Sequence, residues 1–588
     1  MTQTYRVEIS PSKRSITVKD NTLLSEAIQK AGIPLRTDCN RLGMCGKCLV
    51  KISTGDVPPI EDHEESFLIE KNLNKSFRLA CLFHIKSDLK IDIPDESLLQ
   101  EFNILKTGIT TPVLLDPPIK KFFIQLSKPS IAEPLSLVEL FQTCLKNPNL
   151  SIHPELLKTV PPILEKNDYK ITAVIHKNRE IIAIEEGNTS HFCYGLAIDL
   201  GTTTLVVELI DLNSGKSIDK AAAKNSQTQF GSDVVSRIGF SISDEANPGK
   251  LKKTVLKDIN QMIAEILTRH DIPSFYVYEI VLSGNTTMNH IVLGLPLKSL
   301  ARTPFNALFS SLPELPANSF DFEINSGAKL CIAPNIRSFV GGDISAGLVA
   351  SDLLNKKGNF LFIDLGTNGE IVLKTNEGIA ATSTAAGPAF EGMNISCGML
   401  ALPGAIYKIR DGSSMQPETI QNQPPQGICG TGLIDAVAIS LKQHLLSPKG
   451  KILDESGKIV LTQEISLSQK DIREMQLAVA AVRSGIRMIM EKKSLTLDSL
   501  DGIYIAGAFG NYLNIPNSIR IGLLPQFPED KIYFVGNSSI AGAKALLISS
   551  PLRAQANTIS EKIEFLSLAT DIQFQEYFVD SLDFPLRS

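Results

Sequence analysis

Ten residues, CNRLGMCGKC (39–48), hold three cysteines, and a fourth, Cys81, stands well downstream. The pattern reads Cys39-x5-Cys45-x2-Cys48 with Cys81 apart, a three-plus-one grouping of thiolates. A [2Fe-2S] cluster takes four cysteines grouped in this way, and the plant-type spacing C-x4-C-x2-C…C differs by one residue. Zinc also accepts Cys-x2-Cys but usually brings a second close pair, and thiol redox chemistry is a third use of such a spacing. Gly43 and Gly46 let the loop wrap tightly and aim backbone N–H groups at cluster sulfurs, which helps set a reduction potential. The expected cofactor here is a [2Fe-2S] cluster on Cys39, Cys45, Cys48 and Cys81.

A second chemistry lies in an internal repeat. LAIDLGTTTLVVELIDL (196–212) returns as LFIDLGTNGEIVLKTN (361–376). Each copy reads as a strand ending in an aspartate, a Leu-Gly-Thr turn and a second strand, and two copies in one chain predict two related halves facing each other. Backbone N–H groups of the tips, at Gly201 and Gly366, with Thr202, Thr203, Thr204, Thr367 and Asn368 beside them, can surround phosphate oxygens. Asp199 and Asp364 can hold Mg2+ directly or through water. A third motif, IYIAGAFGNYL (503–513), is a strand followed by Gly507, Ala508 and Gly510, where small residues allow a flat base to lie on the backbone.

Stepwise along the chain, TYRVEIS (4–10) and SITVK (15–19) are β-rich runs, and TLLSEAIQKAG (22–32) places Leu23, Leu24, Ala27, Ile28 and Ala31 at helical spacing. CLVKIST (48–54) and LKIDIP (89–94) read as later strands, so residues 1–94 are expected as a small α+β sheet crossed by one helix. Turn formers mixed with short apolar runs suggest a linker over 95–118. From 119 to 190, KKFFIQL, KITAVI and EIIAIEE surround the amphipathic SLVELFQTCLKN, a small α/β middle domain in which Cys144 is expected to be buried. Residues 191–588 carry the duplicated hairpins.

The chain has 588 residues, too many for one core. A formal net charge of -5 without a long basic run argues against nucleic acid or an anionic membrane as partner. No apolar run approaches the roughly 20 residues that span a bilayer, and the start, MTQTYRVEIS, has no apolar leader, so a cytoplasmic protein is expected. Nine cysteines, five of them isolated, are not a disulfide framework. Cys397 and Cys429 lie in glycine-rich loops without partners at metal spacing and read as small buried residues.

The cysteine loop resembles that of the β-grasp ferredoxins, nearer to their adrenodoxin-like branch. The two hairpins and the glycine motif resemble the acetate kinase, sugar kinase, heat-shock chaperone and actin superfamily of ATPases, which implies a two-lobed, actin-like domain of duplicated halves. Its phosphate motifs would be Asp199 to Thr204 and Asp364 to Gly369, and its adenosine motif Gly507 to Gly510. Its connecting helices find matches in VGGDISAGLVAS (340–351) and SIAGAKALL (539–547), with Gly and Ala where two helices must cross closely. Asp343 stands where this superfamily often has an acid near the terminal phosphate, and a helix N-cap is the equal alternative. Asn285 in VLSGNTTMNH, and Gly430, Thr431 and Gly432 in GICGTGLIDAVAISL, are further nucleotide contacts or ordinary caps.

Taken together, with AGPAFEGMNISCGM and AGAFGNYLNIPNSIRIGLLP, the chain resembles over essentially its whole length the reductive activators of corrinoid proteins. The resemblance implies an enzyme: ATP-dependent reduction of a Co(II) corrinoid to Co(I), with the cluster as electron port, MgATP on the hairpins, a corrinoid protein as partner and a homodimer as assembly. Plant-type clusters sit near about -400 mV, and each ~59 mV of shortfall costs a factor of ten, so a more reducing acceptor needs the input of ATP. Two rivals are a metabolite kinase with a regulatory iron–sulfur domain, and a nucleotide-switched redox-sensing binding module.

Overall fold

The computed structural model describes residues 3–10, 14–31, 33, 35, 48–60, 64–65, 68–69, 73–94, 97, 113–131, 134–412, 415–507, 513–568 and 571–585. They fall into two compact units, Met1–Lys106 and Thr107–Ser588. Cys39, Cys45, Gly43, Gly46, Ala508 and Gly510 lie outside the described residues.

In the first unit, β1 (Thr4–Ser10), β2 (Arg14–Lys19), β3 (Leu49–Thr54), β4 (Phe77–Leu79) and β5 (Leu89–Asp92) form one sheet in the order β2-β1-β5-β3-β4. The β1/β5 pair is parallel and the other three are antiparallel. Alternation in β1 sends Val7 and Ile9 inward, where they meet Leu24, Ala27 and Ile28 of the helix Leu24–Lys30. This is the β-grasp arrangement, with the helix laid across the sheet. The sequence reading omits β4, whose three residues are too few for an alternating pattern to register.

The second unit begins with β6 (Ile119–Gln125), β7 (Ser151–Ile152), β8 (Lys170–His176) and β9 (Glu180–Glu186), a sheet of order β6-β8-β9-β7. Helices Leu137–Cys144 and Leu156–Lys166 cover part of it through Phe141, Val160 and Leu164. Val174, Ile182 and Ala183 belong instead to a core shared with Ala197, Val206 and Ile210 of the following strands. Cys144 is exposed, contrary to expectation, because the helix ends at this residue, against the end of β6, where its Sγ meets the Gln125 carbonyl at 3.6 Å.

The expected duplication appears as two six-stranded sheets. The first contains β10 (Tyr194–Leu200), β11 (Thr204–Asp211), β12 (Lys216–Lys224), β13 (Val277–Gly284), β14 (Leu315–Pro316) and β15 (Lys329–Ile332), in the order β12-β11-β10-β13-β15-β14. The second is built on β16 (Phe360–Leu365), β17 (Gly369–Lys374) and β18 (Ile379–Thr384). Between them and the rest of that sheet the chain inserts β19 (Ala405–Arg410), β20 (Gln416–Thr419) and β21 (Gly427–Ile428), a small sheet, and the hairpin β22 (Lys458–Val460) and β23 (Ser466–Ser468). With β24 (Gly502–Ala506), β25 (Ile532–Gly536) and β26 (Glu564–Phe565), the second large sheet has the order β25-β24-β16-β17-β18-β26. Five strands match in order and direction: β12-β11-β10-β13-β15 and β18-β17-β16-β24-β25. Both sheets are covered on two faces, which is why β10 and β16 read as nearly unbroken apolar runs. The long helices Asn247–Arg269 and Gln469–Lys492 each pack into the core of one lobe.

The connector helices Gly342–Ala350 and Ser538–Ile548 cross against each other. A Cβ on Gly542 would stand 2.1 Å from the Ala346 carbonyl oxygen, and one on Gly347 would stand 2.6 Å from Ser538 Oγ. Two helix backbones therefore approach with no side chain between them. Gly542→Ala would gain about 1 kcal/mol of helix propensity, yet it must push one backbone off the other and is expected to cost about 3 kcal/mol net. Thermal unfolding reads this directly, and an unchanged melting temperature would mean the crossing opens freely.

Candidate functional site

Cys48 is positioned by the start of β3 and Cys81 by the turn after β4. The Leu49 and Leu79 pairing brings the two chains side by side, and the Ala80 amide donates to the Cys48 carbonyl at 3.0 Å. A buried ion pair steadies β4: Arg78 Nη2 donates to Glu64 Oε2 at 2.8 Å, and the Leu79 amide donates to Glu64 Oε1 at 2.6 Å. Both thiols are buried, with their sulfurs 3.2 Å apart. A disulfide needs about 2.05 Å, whereas a tetrahedral metal bound at about 2.3 Å holds two sulfurs about 3.8 Å apart. At 3.2 Å the sulfurs are too far apart for a disulfide and somewhat closer than one metal would hold them, and as two adjacent buried thiols they fit two of the four ligands of an iron–sulfur cluster.

In the second unit, Asp199 and Asp364 are the penultimate residues of β10 and β16. Asp199 accepts from Asn537 Nδ2 at 2.6 Å and from Ser539 Oγ at 2.7 Å. Asn537 also N-caps the second connector by accepting from the Ile540 amide at 3.0 Å. Burial pushes the Asp199 carboxyl up in spite of these donors. Asp364 stands opposite Glu370 across the β16/β17 pair, where like charges repel, and no hydrogen bond reaches its carboxyl among the described residues. Burial, then the charges of Asp343 and Asp199, push Asp364 up to about 8. Asp343 is pushed up to about 7 by burial and by Asp199, although the Ile344 amide donates to it at 2.9 Å. Glu370 is raised as well, by burial and then by Asp343 and Asp364.

Carboxyls pushed up by burial and by one another's charge lack a counter-charge, and a divalent cation is the natural one. Among the described residues no three His, Cys, Asp or Glu side chains stand at direct metal-ligand spacing. A cation here would keep several waters, as Mg2+ does when it also binds phosphate.

The hairpin tips differ in length. Leu200 pairs with Leu205 and Leu365 with Gly369, so the first tip has four residues and the second three. The first is held by Asn225 Nδ2, which donates to the Gly201 carbonyl at 2.9 Å, and by Arg237 Nη2, which donates to the Thr202 carbonyl. Arg237 is fully buried, and burial lowers its pKa to about 10. A Cβ on Gly201 would meet the Thr204 oxygen at 2.4 Å, so only glycine closes this tip. In the second tip the Gly366 amide donates to the Asn368 carbonyl at 3.0 Å. One carboxylate joins the tips: Glu391 accepts from Thr203 Oγ1 and from Thr367 Oγ1, each at 2.6 Å.

Asn285 is a helix cap that also reaches the first tip. Its Oδ1 caps the helix Thr286–Val292 through the Met288 amide at 2.9 Å, and its Nδ2 donates to Thr202 Oγ1 at 3.0 Å. Asp343 is not an N-cap, since Gly341 holds that position and Asp343 lies in the first turn. Gly430, Thr431 and Gly432 open the helix Gly430–Lys442, and Thr431 Oγ1 donates to the Tyr407 carbonyl at 2.7 Å, so its hydroxyl ties this helix to β19. Gly507 adopts φ +105 directly after β24, level with Asp364, and a Cβ there would meet the Leu365 oxygen at 2.4 Å. Cys429 is buried and Cys397 is partly so. Sequence reasoning missed Arg237, Glu370, Glu391, Asn537 and Ser539. Only Asn537 had a local signal, an asparagine just before a small-residue helix.

Family models match in succession along the chain: "2Fe-2S iron-sulfur cluster binding domain" over 7–86, "RACo linker region" over 109–191, "RACo middle region" over 194–356, and "C-terminal domain of RACo the ASKHA domain" over 358–588. The first unit thus carries a [2Fe-2S] cluster-binding domain, and the last model names the actin-like superfamily. The corrinoid activation enzyme RamQ of Eubacterium limosum is 29% identical over 96% of this chain and 97% of its own. The [Co(II) methylated amine-specific corrinoid protein] reductase of Methanosarcina barkeri is 26% identical over 66% of this chain and 77% of its own. A solved structure of a reductive activator for corrinoid, iron-sulfur protein is 33% identical, covers 99% of this chain and 98% of its own, and superposes with a TM-score of 0.76. With two hairpin halves, a cluster domain and an end-to-end match to a solved member, this chain belongs to the family of reductive activators of corrinoid proteins.

Proposed function

We propose that this protein is an ATP-dependent reductase that returns the cobalt of a partner corrinoid protein from Co(II) to Co(I). The observation that carries the reading is the union, on one chain, of a [2Fe-2S] domain with duplicated hairpins whose aspartates gather where burial and one another's charge push their carboxyls up, in a chain matched over its whole length by a reductive activator. A cluster held by Cys39, Cys45, Cys48 and Cys81 supplies one-electron transfer when bound. The rest is done by the cleft. Gly201 to Thr204 and Gly366 to Asn368 take the phosphates of ATP. Asp199, Asp343 and Asp364 hold Mg2+, partly through water. Gly507, with Ala508 and Gly510, leaves room for the base, and Asn285 steadies the first tip through Thr202. Gly430, Thr431 and Gly432 act one step further out, by fixing the helix beneath the second half.

Closure of the two halves on ATP turns on the crossed connectors, and Asp199 spans that seam through Asn537 and Ser539. The reading places the protein in the cytoplasm, where unpaired thiols stay reduced, as a homodimer. Light scattering tests the dimer.

The deciding experiment is anaerobic. The reduced protein is mixed with a candidate Co(II) corrinoid protein and the cobalt spectrum is followed with and without MgATP. Co(I) that forms only with MgATP is the expected result. Cobalt that stays Co(II) with several partners, despite an intact cluster and bound nucleotide, would sink the reading and turn attention to phosphoryl acceptors.

A further inference from the structure

Glu391 ends the short turn Pro388–Glu391, and its carboxylate is divided between the two halves of the duplication. Oε2 takes the Thr203 hydroxyl from the first tip and Oε1 takes the Thr367 hydroxyl from the second, each at 2.6 Å. Both threonines are largely buried, at 6% and 9% exposure, so water competes poorly for either hydroxyl. Two oxygens of one anion, each receiving a hydroxyl from a different tip, satisfy the same donors that a nucleotide phosphate held between the tips would use. Each hydroxyl has a single hydrogen to give. The carboxylate and a phosphate cannot both have it, and two anions side by side in a partly enclosed site repel.

Release of the hydroxyls needs only the Glu391 side chain to turn, because Ala389 and Phe390 of the same turn are buried in the core of the second lobe. Gly387 and Gly392 flank the turn, both at φ +76, and Gly392 is held against the Met399 backbone, where a Cβ would stand 2.5 Å from the Met399 oxygen. A Cβ at Gly387 would meet nothing within 4 Å, so this end is unobstructed. Beyond the turn the loop is fixed, since the Ser396 amide and hydroxyl donate to Asp471 at 2.7 and 2.6 Å. The movement is therefore confined to the Glu391 side chain.

We propose that Glu391 is an internal stand-in for phosphate: without nucleotide it holds the Thr203 and Thr367 hydroxyls together, and an incoming nucleotide must displace it to claim them. This rests on the reading of the two tips as a phosphate site. Glu391 then sets nucleotide affinity by competition, and its release reports that the cleft is filled.

Calorimetric titration of the full chain with magnesium and a non-hydrolysable ATP analogue tests the proposal. Glu391→Gln keeps the size and removes the charge, and is expected to tighten binding about tenfold. Thr203→Val and Thr367→Val remove donors that the phosphate inherits, and each is expected to weaken binding about tenfold. The serine variants, Thr203→Ser and Thr367→Ser, keep the hydroxyl and should recover most of the binding that the valine variants lose. Opposite signs for the glutamate and threonine substitutions are the signature. Unchanged or weaker binding by Glu391→Gln would overturn the proposal, because Glu391 would then be a fixed support for the tips. Failure of the natural chain to bind the analogue would overturn the phosphate reading itself, together with this inference.

Discussion

Asp364→Asn lowers MgATP-dependent corrinoid reduction by about 100-fold or more and, in the same protein, raises the stability of the nucleotide-free chain above neutral pH. The first effect follows from removing a negative charge that would hold the cation against the phosphates, a loss comparable to deleting one preorganised electrostatic contact. The second follows from linkage. Asp343 and Asp364 have carboxyls raised to about 7 and about 8 by burial and by each other's neighbourhood of charge. A group raised in the folded state contributes stability that is whole below its unfolded pKa and is lost as pH rises through the folded one. The nucleotide-free protein should therefore melt at progressively lower temperature from about pH 4, where the unfolded carboxyls ionise, to about pH 8, where the folded ones do. Asp364→Asn cannot ionise, flattens that decline, and should recover about 2 kcal/mol at the alkaline end. Mg2+ flattens it in the natural chain too, because it binds the ionised form and releases protons. Melting curves at the two pH values, with and without Mg2+, read the effect. Identical pH dependence in the variant, alongside undiminished reduction, would remove Asp364 from the site.

Cys81→Ser abolishes reduction while leaving nucleotide binding intact. Cys81 is buried beside Cys48, and the serine would leave a cluster one thiolate short, in a place where β4 and the Glu64–Arg78 pair fix the geometry. A loss of electron transfer of more than about 100-fold is expected, together with bleaching of the visible iron–sulfur absorbance. Binding of the ATP analogue should not change, since the cleft belongs to the other compact unit. Metal analysis of the natural chain provides the sharper test. Two irons per chain support the cluster, and one zinc with no visible absorbance would replace the electron port with a structural metal.

The duplication was legible because Asp-Leu-Gly-Thr occurs twice, and the connector helices because glycine and alanine mark a close crossing by residue type alone. The repeat also misled. It equates Thr202 with Thr367, yet Glu391 pairs Thr203 with Thr367, because the first tip has one residue more. The donors to Asp199 come from 338 and 340 positions away, a separation that leaves no periodicity to read. Arg237 was hidden for a different reason. A lone arginine among VVSRIGF reads as a surface residue, and only the folded chain reveals that its guanidinium is buried beneath a carbonyl. Cys144 shows the reverse error, an apolar stripe extended one residue past the point where there is a sheet to cover.

The two copies of the aspartate have parted ways. Asp199 is pinned by Asn537 and Ser539, whereas Asp364 faces Glu370 and keeps its carboxyl unbonded among the described residues. A doubled motif invites the thought of a spare part, and this one offers none. One copy is tied to a connector helix and the other stands against a second carboxylate, each among neighbours the other lacks, so damage to either is expected to go unbuffered. Redundancy along the chain has turned into interdependence in the fold, and variation should be tolerated at neither position.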